Sequence, residues 1–231
     1  MLPQTNIKGF LSICLMDINI TATNKATDLC FIMNYFGSDK GNPQGNGHHN
    51  YTLLYEPLFA PVRQNAIRVF ELGLGTNNLN FPSNMGTNGK PGASLRGWKQ
   101  FFENAQIFGA DIDAGILFEE DRIKTYQCDQ NSTESVSQLW SNAELADEFD
   151  IIIEDGLHIY ESNVHFFENS CHKLKAGGIF IIEDIQSYTF QRWAAKLPEW
   201  KAKYPQFTFR MYQIPNKKNV HDNNILIVKR N

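Results

Sequence analysis

The chain has 231 residues, 42% of them hydrophobic and 20% charged, with a formal net charge of −4. That length suits one α/β domain, or one domain with a short appendage, and is enough for a full core. The slight acidity gives no bulk electrostatic reason to bind nucleic acid or an anionic membrane, so neither is expected as a partner.

Residues 1–36 are mixed and end in the helix-like LCFIMNYFG. FLSICLM at 10–16 is too short to span a bilayer, and no small-residue cleavage site follows it, so no leader or anchor is expected. Residues 38–51 are dense in Gly, Asn and His and read as a loop. We take residues 1–50 as an N-terminal segment acting as a lid or an interface, and 51–231 as the main domain. The four cysteines, Cys14, Cys30, Cys128 and Cys171, have no paired spacing and read as buried free thiols, which points to a reducing, cytoplasmic setting.

From residue 51 onward, helix and strand patterns alternate. YTLLYEPLFAPVR (51–63) has helical spacing and stops near Pro61, while IRVFELGLG (67–75) is a buried strand running into glycines. A loop rich in Asn, Gly and Pro occupies 76–92, followed by a helix at 94–102 with Ser94 near its start. Strands are expected at 105–113, 122–130, 149–156 and 177–184. Helices are expected at 132–140, capped by Ser132, and at 161–178, stopped by two glycines. The helical QRWAAKLPEWKAKYP breaks at Pro198, and two closing strands, 207–214 and 224–230, must pair antiparallel. This is an α/β chain: a doubly wound, mostly parallel sheet with a C-terminal antiparallel hairpin.

Ligands of such sheets sit beyond the carboxyl ends of the strands. The first strand ends ELGLGT, where Gly73 and Gly75 let the backbone approach a ligand or simply make a turn. Asn78 stands where a dinucleotide fingerprint needs its third glycine. An acid before the glycines, Glu71, suits a cationic ligand, and S-adenosylmethionine fits, with its sulfonium, ammonium and ribose. Asp111 is placed to accept ribose hydroxyls, with Asp113 as a competing candidate, and Asp129 and Gln130 end the third strand where adenine would lie.

EFDIIIEDGLHIY (148–160) and GGIFIIEDIQ (177–186) both end apolar strands in Glu-Asp. Collecting such acids is unfavourable unless something positive lies between them. Asp155, Glu183 and Asp184 on neighbouring strand ends suit Mg²⁺, and otherwise they cap the following segments. His158 is either a loop residue or a general base beside that metal, with Glu154 next in line. His165 falls inside a helix and reads as structural.

Taken in order, FGSDKG (36–41), HHNYTLLYEPLF (48–59), ELGLGT (71–76), GASLRGWKQFF (92–102), FGADID (108–113), CDQ (128–130), IIIEDGLH (151–158) and GGIFIIEDIQ carry a resemblance over about residues 35–230. The chain resembles the metal-dependent class I methyltransferases related to macrocin O-methyltransferase and other sugar O-methyltransferases. The resemblance implies a Rossmann-like class I methyltransferase fold, S-adenosylmethionine as donor and Mg²⁺ as cofactor. It implies that Asp155, Glu183 and Asp184 bind the metal and that His158 takes the proton of a sugar hydroxyl. The donor site is read from Glu71, Gly73, Gly75, Ser94, Asp111, Asp129 and Gln130, and the resemblance implies a small glycosylated acceptor. Leu157 stands where the family has Ser, and the auxiliary domain of larger relatives is expected to be absent. A homo-oligomer is compatible with the aromatic N-terminal segment. Two other readings compete: a nicotinamide-dependent oxidoreductase, and a methyltransferase-like module that binds without turnover.

Overall fold

The computed structural model describes residues 26–41 and 48–231. The apolar stretch at 10–16 and Cys14 lie outside these residues. At the centre is an eight-stranded sheet in the order β3-β4-β2-β1-β5-β6-β8-β7. Its strands are β1 (Arg68–Leu72), β2 (Gln106–Asp111), β3 (Glu119–Glu120), β4 (Ile123–Gln127), β5 (Phe149–Glu154), β6 (Leu174–Ile182), β7 (Phe207–Gln213) and β8 (Asn224–Arg230). β4, β2, β1, β5 and β6 run parallel, while β8 and β7 close one side antiparallel. The two-residue β3 is an addition that sequence patterning does not show.

The helices are α1 (Asp28–Phe36), α2 (Thr52–Phe59), α3 (Ala93–Phe101), α4 (Thr133–Ser141), α5 (Tyr160–Ser170) and α6 (Phe190–Lys203). Strand alternation sorts the apolar side chains into two cores. Val69, Ile107, Ile151, Ile153 and Ile181 pack with Leu29, Met33, Tyr55 and Trp98 of α1, α2 and α3. Phe70, Phe108, Ile152, Phe180 and Ile182 pack with Val136, Phe166 and Trp200 of α4, α5 and α6. Helices therefore cover both faces, and strand order reverses between β1 and β5, where ligands of such sheets bind.

Two local expectations are corrected. Gly177 and Gly178 do not stop a helix. α5 ends at Ser170, and both glycines lie inside β6, beside the irregular register between Phe149 and Ile151. Gly177 has φ +81°, and a Cβ on Gly178 would lie 2.9 Å from the Asp150 carbonyl oxygen, so close strand contact is what needs glycine here. Pro198 does not break its helix either, because α6 runs through it to Lys203. An interior proline costs about 3 kcal/mol or more. Trp193 and Trp200, on either side of it, are 1% and 0% exposed. Their burial contributes roughly 4–6 kcal/mol each and outweighs the lost backbone bond.

Candidate active site

A cavity of about 220 Å³ opens at the carboxyl ends of β1, β2, β4 and β5. The turn after β1 forms its floor. Gly73 N donates to the Ala110 carbonyl at 2.8 Å, and Gly73 itself has φ +90°. A Cβ on Gly73 would lie 1.9 Å from the carbonyl oxygen of Asp155, and one on Gly75 2.3 Å from Met85 Sδ. Asp111 lines the cavity and ties the turn down: its Oδ2 accepts from Leu74 N at 2.7 Å and its Oδ1 from Asp113 N at 2.9 Å. Burial raises the Asp111 carboxyl above its ordinary range, opposed by these backbone donors. Asp113 is committed elsewhere, accepting from Thr76 Oγ1 and Gly115 N.

Asp129 and Gln130 lie just beyond β4 and also line the cavity. Gln130 spans to the next strand, donating to Glu154 Oε1 at 3.0 Å and accepting from Leu157 N at 2.7 Å. His165 contacts the Gln130 carbonyl through Nδ1 at 2.6 Å and Thr133 Oγ1 through Nε2 at 2.9 Å. Ser94 reaches the cavity wall, yet its hydroxyl donates to Glu71 Oε1 at 2.6 Å. Glu71 itself does not line the cavity. It is 0% exposed, and Trp98 Nε1 donates to its other oxygen. Alternation explains this: Glu71 shares the face of Val69, which is covered by α3.

The same alternation governs the acids after β5 and β6. Glu154 follows Ile152 to the α4 side, where burial pushes its carboxyl up to about 7. Asp155 and Glu183 follow Ile153 and Ile181 to the α1–α2 side. There they meet Lys40, which belongs to the FGSDKG stretch. Its buried Nζ donates to Asp155 Oδ2 at 2.6 Å and to Glu183 Oε2 at 2.5 Å. Glu183 Oε1 accepts from Tyr55 Oη at 2.6 Å. The positive group that these carboxylates require is therefore Lys40, which the strand-end pattern does not point to. The available signal was that Glu71, Asp155 and Glu183 are in phase on one face, and that the segment crossing that face carries one lysine.

Asp184 has φ +52°, and its Oδ1 accepts from Tyr51 Oη at 2.6 Å. His158 has φ +60° and bridges the two aspartates, with Nε2 3.2 Å from Asp155 Oδ1 and Nδ1 3.3 Å from Asp184 Oδ2. Burial opposes a charge on this imidazole, but Asp184 and Asp155 raise its pKa to about 10. It is therefore protonated at neutral pH as it stands, and accepts no proton until another cation shares those carboxylates. Burial alone would raise the Asp155 carboxyl, yet Lys40 and His158 hold it well below the usual range. Burial raises Glu183, opposed by Lys40 and reinforced by Asp155 and Glu71.

Asp155, His158 and Asp184 each present one ligand atom within 4.8 Å of the others; the two carboxylates suit a divalent cation, with the imidazole beside them. His49 is 6% exposed, and its Nδ1 has no hydrogen-bond partner while lying 3.4 Å from Asp184 Oδ1. Glu183 stands apart from that triad, with both oxygens engaged.

No protein-family model matches the chain. The chain is 35% identical over 151 residues to the 8-demethyl-8-alpha-L-rhamnosyl tetracenomycin-C 2'-O-methyltransferase of Streptomyces olivaceus, covering 65% of this chain and 36% of that protein. It is 34% identical to the demethylmacrocin O-methyltransferase of Streptomyces fradiae, covering 62% and 33%. The chain thus spans about a third of the length of these curated relatives. Among solved structures it is similar to MycE methyltransferase from the mycinamycin biosynthetic pathway in complex with Mg and SAH, with TM-score 0.67 and 23% identity, covering 90% of this chain and 55% of that one. The fold is that of a class I methyltransferase.

Proposed function

We propose that this chain is a Mg²⁺-dependent O-methyltransferase that moves a methyl group from S-adenosylmethionine to a hydroxyl of a sugar or glycosylated small molecule. The observation that carries the reading is the contact of Gly73 with Asp155, which sets the donor turn directly against the acid cluster. Relatives named as sugar O-methyltransferases support it, as does the likeness to MycE in complex with Mg, SAH and mycinamycin VI.

Gly73 and Gly75 let the donor's methionine end approach the backbone. On this reading Asp111 would meet its ribose, and Asp129 and Gln130 its adenine. Ser94 and Glu71 act from behind this wall. Asp155 and Asp184, with Glu183 beside them, would hold Mg²⁺, which when bound supplies positive charge that makes an acceptor hydroxyl more acidic. His158 takes the hydroxyl proton at a ring nitrogen as the oxygen–methyl bond forms and the sulfur–methyl bond breaks. S-adenosylhomocysteine and the methylated acceptor are the products.

Residues 1–50 are read as a lid or interface segment and 51–231 as the donor-binding domain. Lys40, laid across the acids, supports the lid, while Phe31 and Tyr35, 64% and 81% exposed on α1, support a homo-oligomer interface. The buried free thiols of Cys30, Cys128 and Cys171 support a reducing, cytoplasmic location. Among the described residues no helix is long and apolar enough to cross a membrane. We infer a small-molecule acceptor, with neither nucleic acid nor membrane as partner, consistent with the net charge of −4.

The test is calorimetry with S-adenosylmethionine and with NAD, followed by methyl transfer to a panel of deoxysugar-bearing acceptors with and without Mg²⁺. Binding of the donor and Mg²⁺-dependent transfer are expected. Binding of NAD instead would favour an oxidoreductase, and donor binding without transfer to any acceptor would favour a binding module.

A further inference from the structure

Lys40 is 1% exposed, and its ammonium lies among Asp155, Glu183 and Glu71. A buried ammonium is tolerated only where carboxylates offset its desolvation, and buried carboxylates need a cation for the same reason. Lys40 therefore already supplies part of the positive charge that the cluster demands. It does so on Asp155, the residue that also belongs to the triad fit for a divalent ion.

The side chain is held separately from its backbone. The Lys40 carbonyl accepts from Thr52 N at 3.3 Å, and the Asp39 carbonyl accepts from His49 N at 3.0 Å. Rotation of the side chain breaks neither bond, and Lys40 already lines the cavity into which it would turn. Tyr55 stays on Glu183 Oε1 in either case, so Glu183 Oε2 and Asp155 Oδ2 are the two atoms released when the ammonium leaves.

We propose that Lys40 is a resident counter-cation that competes with the divalent metal for Asp155 and Glu183 and is displaced from them when the metal binds. This rests on the reading that the site takes such an ion. It makes metal affinity a difference between two cations at one set of carboxylates.

The experiment titrates Mg²⁺ into metal-free wild type and Lys40→Met by calorimetry. Met keeps the length of the side chain and removes its charge. Loss of the competitor should tighten Mg²⁺ binding by about tenfold or more. A folded Lys40→Met variant with unchanged or weaker affinity, beside a wild type that binds, overturns this inference alone. If neither protein binds Mg²⁺, the metal reading and this inference fall together, whereas binding by the variant only supports the competition. Should Lys40→Met not fold, wild type is labelled with acetic anhydride and the Lys40 peptide followed by mass spectrometry. Saturating Mg²⁺ should speed labelling of Lys40 by about fivefold or more as the ammonium leaves its buried partners. Unchanged or slower labelling overturns the proposal.

Discussion

Gly73 and Asp155 meet backbone to backbone. A Cβ on the glycine would stand 1.9 Å from the aspartate carbonyl oxygen, and Asp155 N donates to the Leu72 carbonyl one residue earlier, at 2.9 Å. The turn proposed to receive the methyl donor and the turn that presents the acids are therefore one packed unit.

This contact changes what a substitution at Gly73 reports. With φ +90°, a side chain is strained before it touches any ligand, and the obstacle is backbone, which cannot rotate away. Gly73→Ala should lose donor and Mg²⁺ binding together and lower stability by on the order of 2–6 kcal/mol. Denaturant unfolding alongside calorimetry for both ligands checks this. Selective loss of donor affinity at full stability would show the two turns to be independent.

Much of this arrangement was legible before the structure. The strand and helix order, the closing hairpin and the convergence of Asp111, Gln130, Asp155 and His158 on one sheet edge follow from apolar periodicity and strand-end acids. Glu71 was harder, because its position before the glycines suggested a ligand contact, whereas strand phase sends it beneath α3 to Ser94 and Trp98. Lys40 was harder still. Its partner Asp155 is 115 residues away, and no local pattern announces a loop lysine that crosses to the far end of the sheet. Tertiary closure also decides Pro198 and Gly178, where a buried aromatic face and a neighbouring strand override local punctuation.

Glu71 offers a direct test of burial energetics. Its carboxylate is fully buried, and Ser94 and Trp98 supply its hydrogen bonds. Ser94→Ala and Trp98→Phe should each cost about 1–3 kcal/mol, because each leaves a buried carboxylate oxygen short of a donor. Shifts in the urea midpoint at constant slope measure the effect. A stability change within error for both variants would mean that Lys40 alone satisfies Glu71.

Two thiols give a pH test. Burial pushes the Cys128 and Cys171 thiols up to about 11. The thiolate is the reactive form, so it is scarce below that value and grows as pH rises through it. Alkylation of the folded protein at pH 8 should leave both residues unmodified by peptide mass spectrometry, with modification increasing toward pH 11. Rapid labelling at pH 8 would show that this part of the core opens.

Asp184 can be altered without disturbing its backbone. Its φ of +52° lies in the left-handed region, which asparagine also tolerates. Asp184→Asn removes a negative charge while keeping an oxygen for Tyr51 Oη. Mg²⁺ affinity should fall by at least about tenfold, the smaller effect seen for loss of even an outer partner of a metal, and the melting temperature of the metal-free protein should fall as well, because the buried His158 imidazole loses the charge facing its Nδ1. A chelator should abolish methyl transfer in wild type, and excess Mg²⁺ should restore it. Full transfer in excess chelator would remove the metal from the reaction.

The final prediction concerns His158, whose φ of +60° makes alanine a poor probe. His158→Ala strains the backbone as it removes the imidazole, whereas His158→Asn keeps a residue suited to that conformation. Both variants should lose about 10²–10⁴-fold in turnover, the usual contribution of a positioned base. Donor affinity should stay within about threefold, since the contacts of His158 run to Asp155 and Asp184 and not to Asp111 or Gly73. Asn should unfold closer to wild type than Ala, which separates strain from chemistry. The imidazole is held protonated by two carboxylates, so its use as a base depends on another cation drawing on those same oxygens. Turnover lost in His158→Asn at unchanged donor and Mg²⁺ affinity therefore identifies the proton acceptor. Wild-type turnover in that variant would leave His158 a bridging loop residue. Glu154 would not replace it, because Glu154 is turned to the opposite face of the sheet and bonded to Gln130.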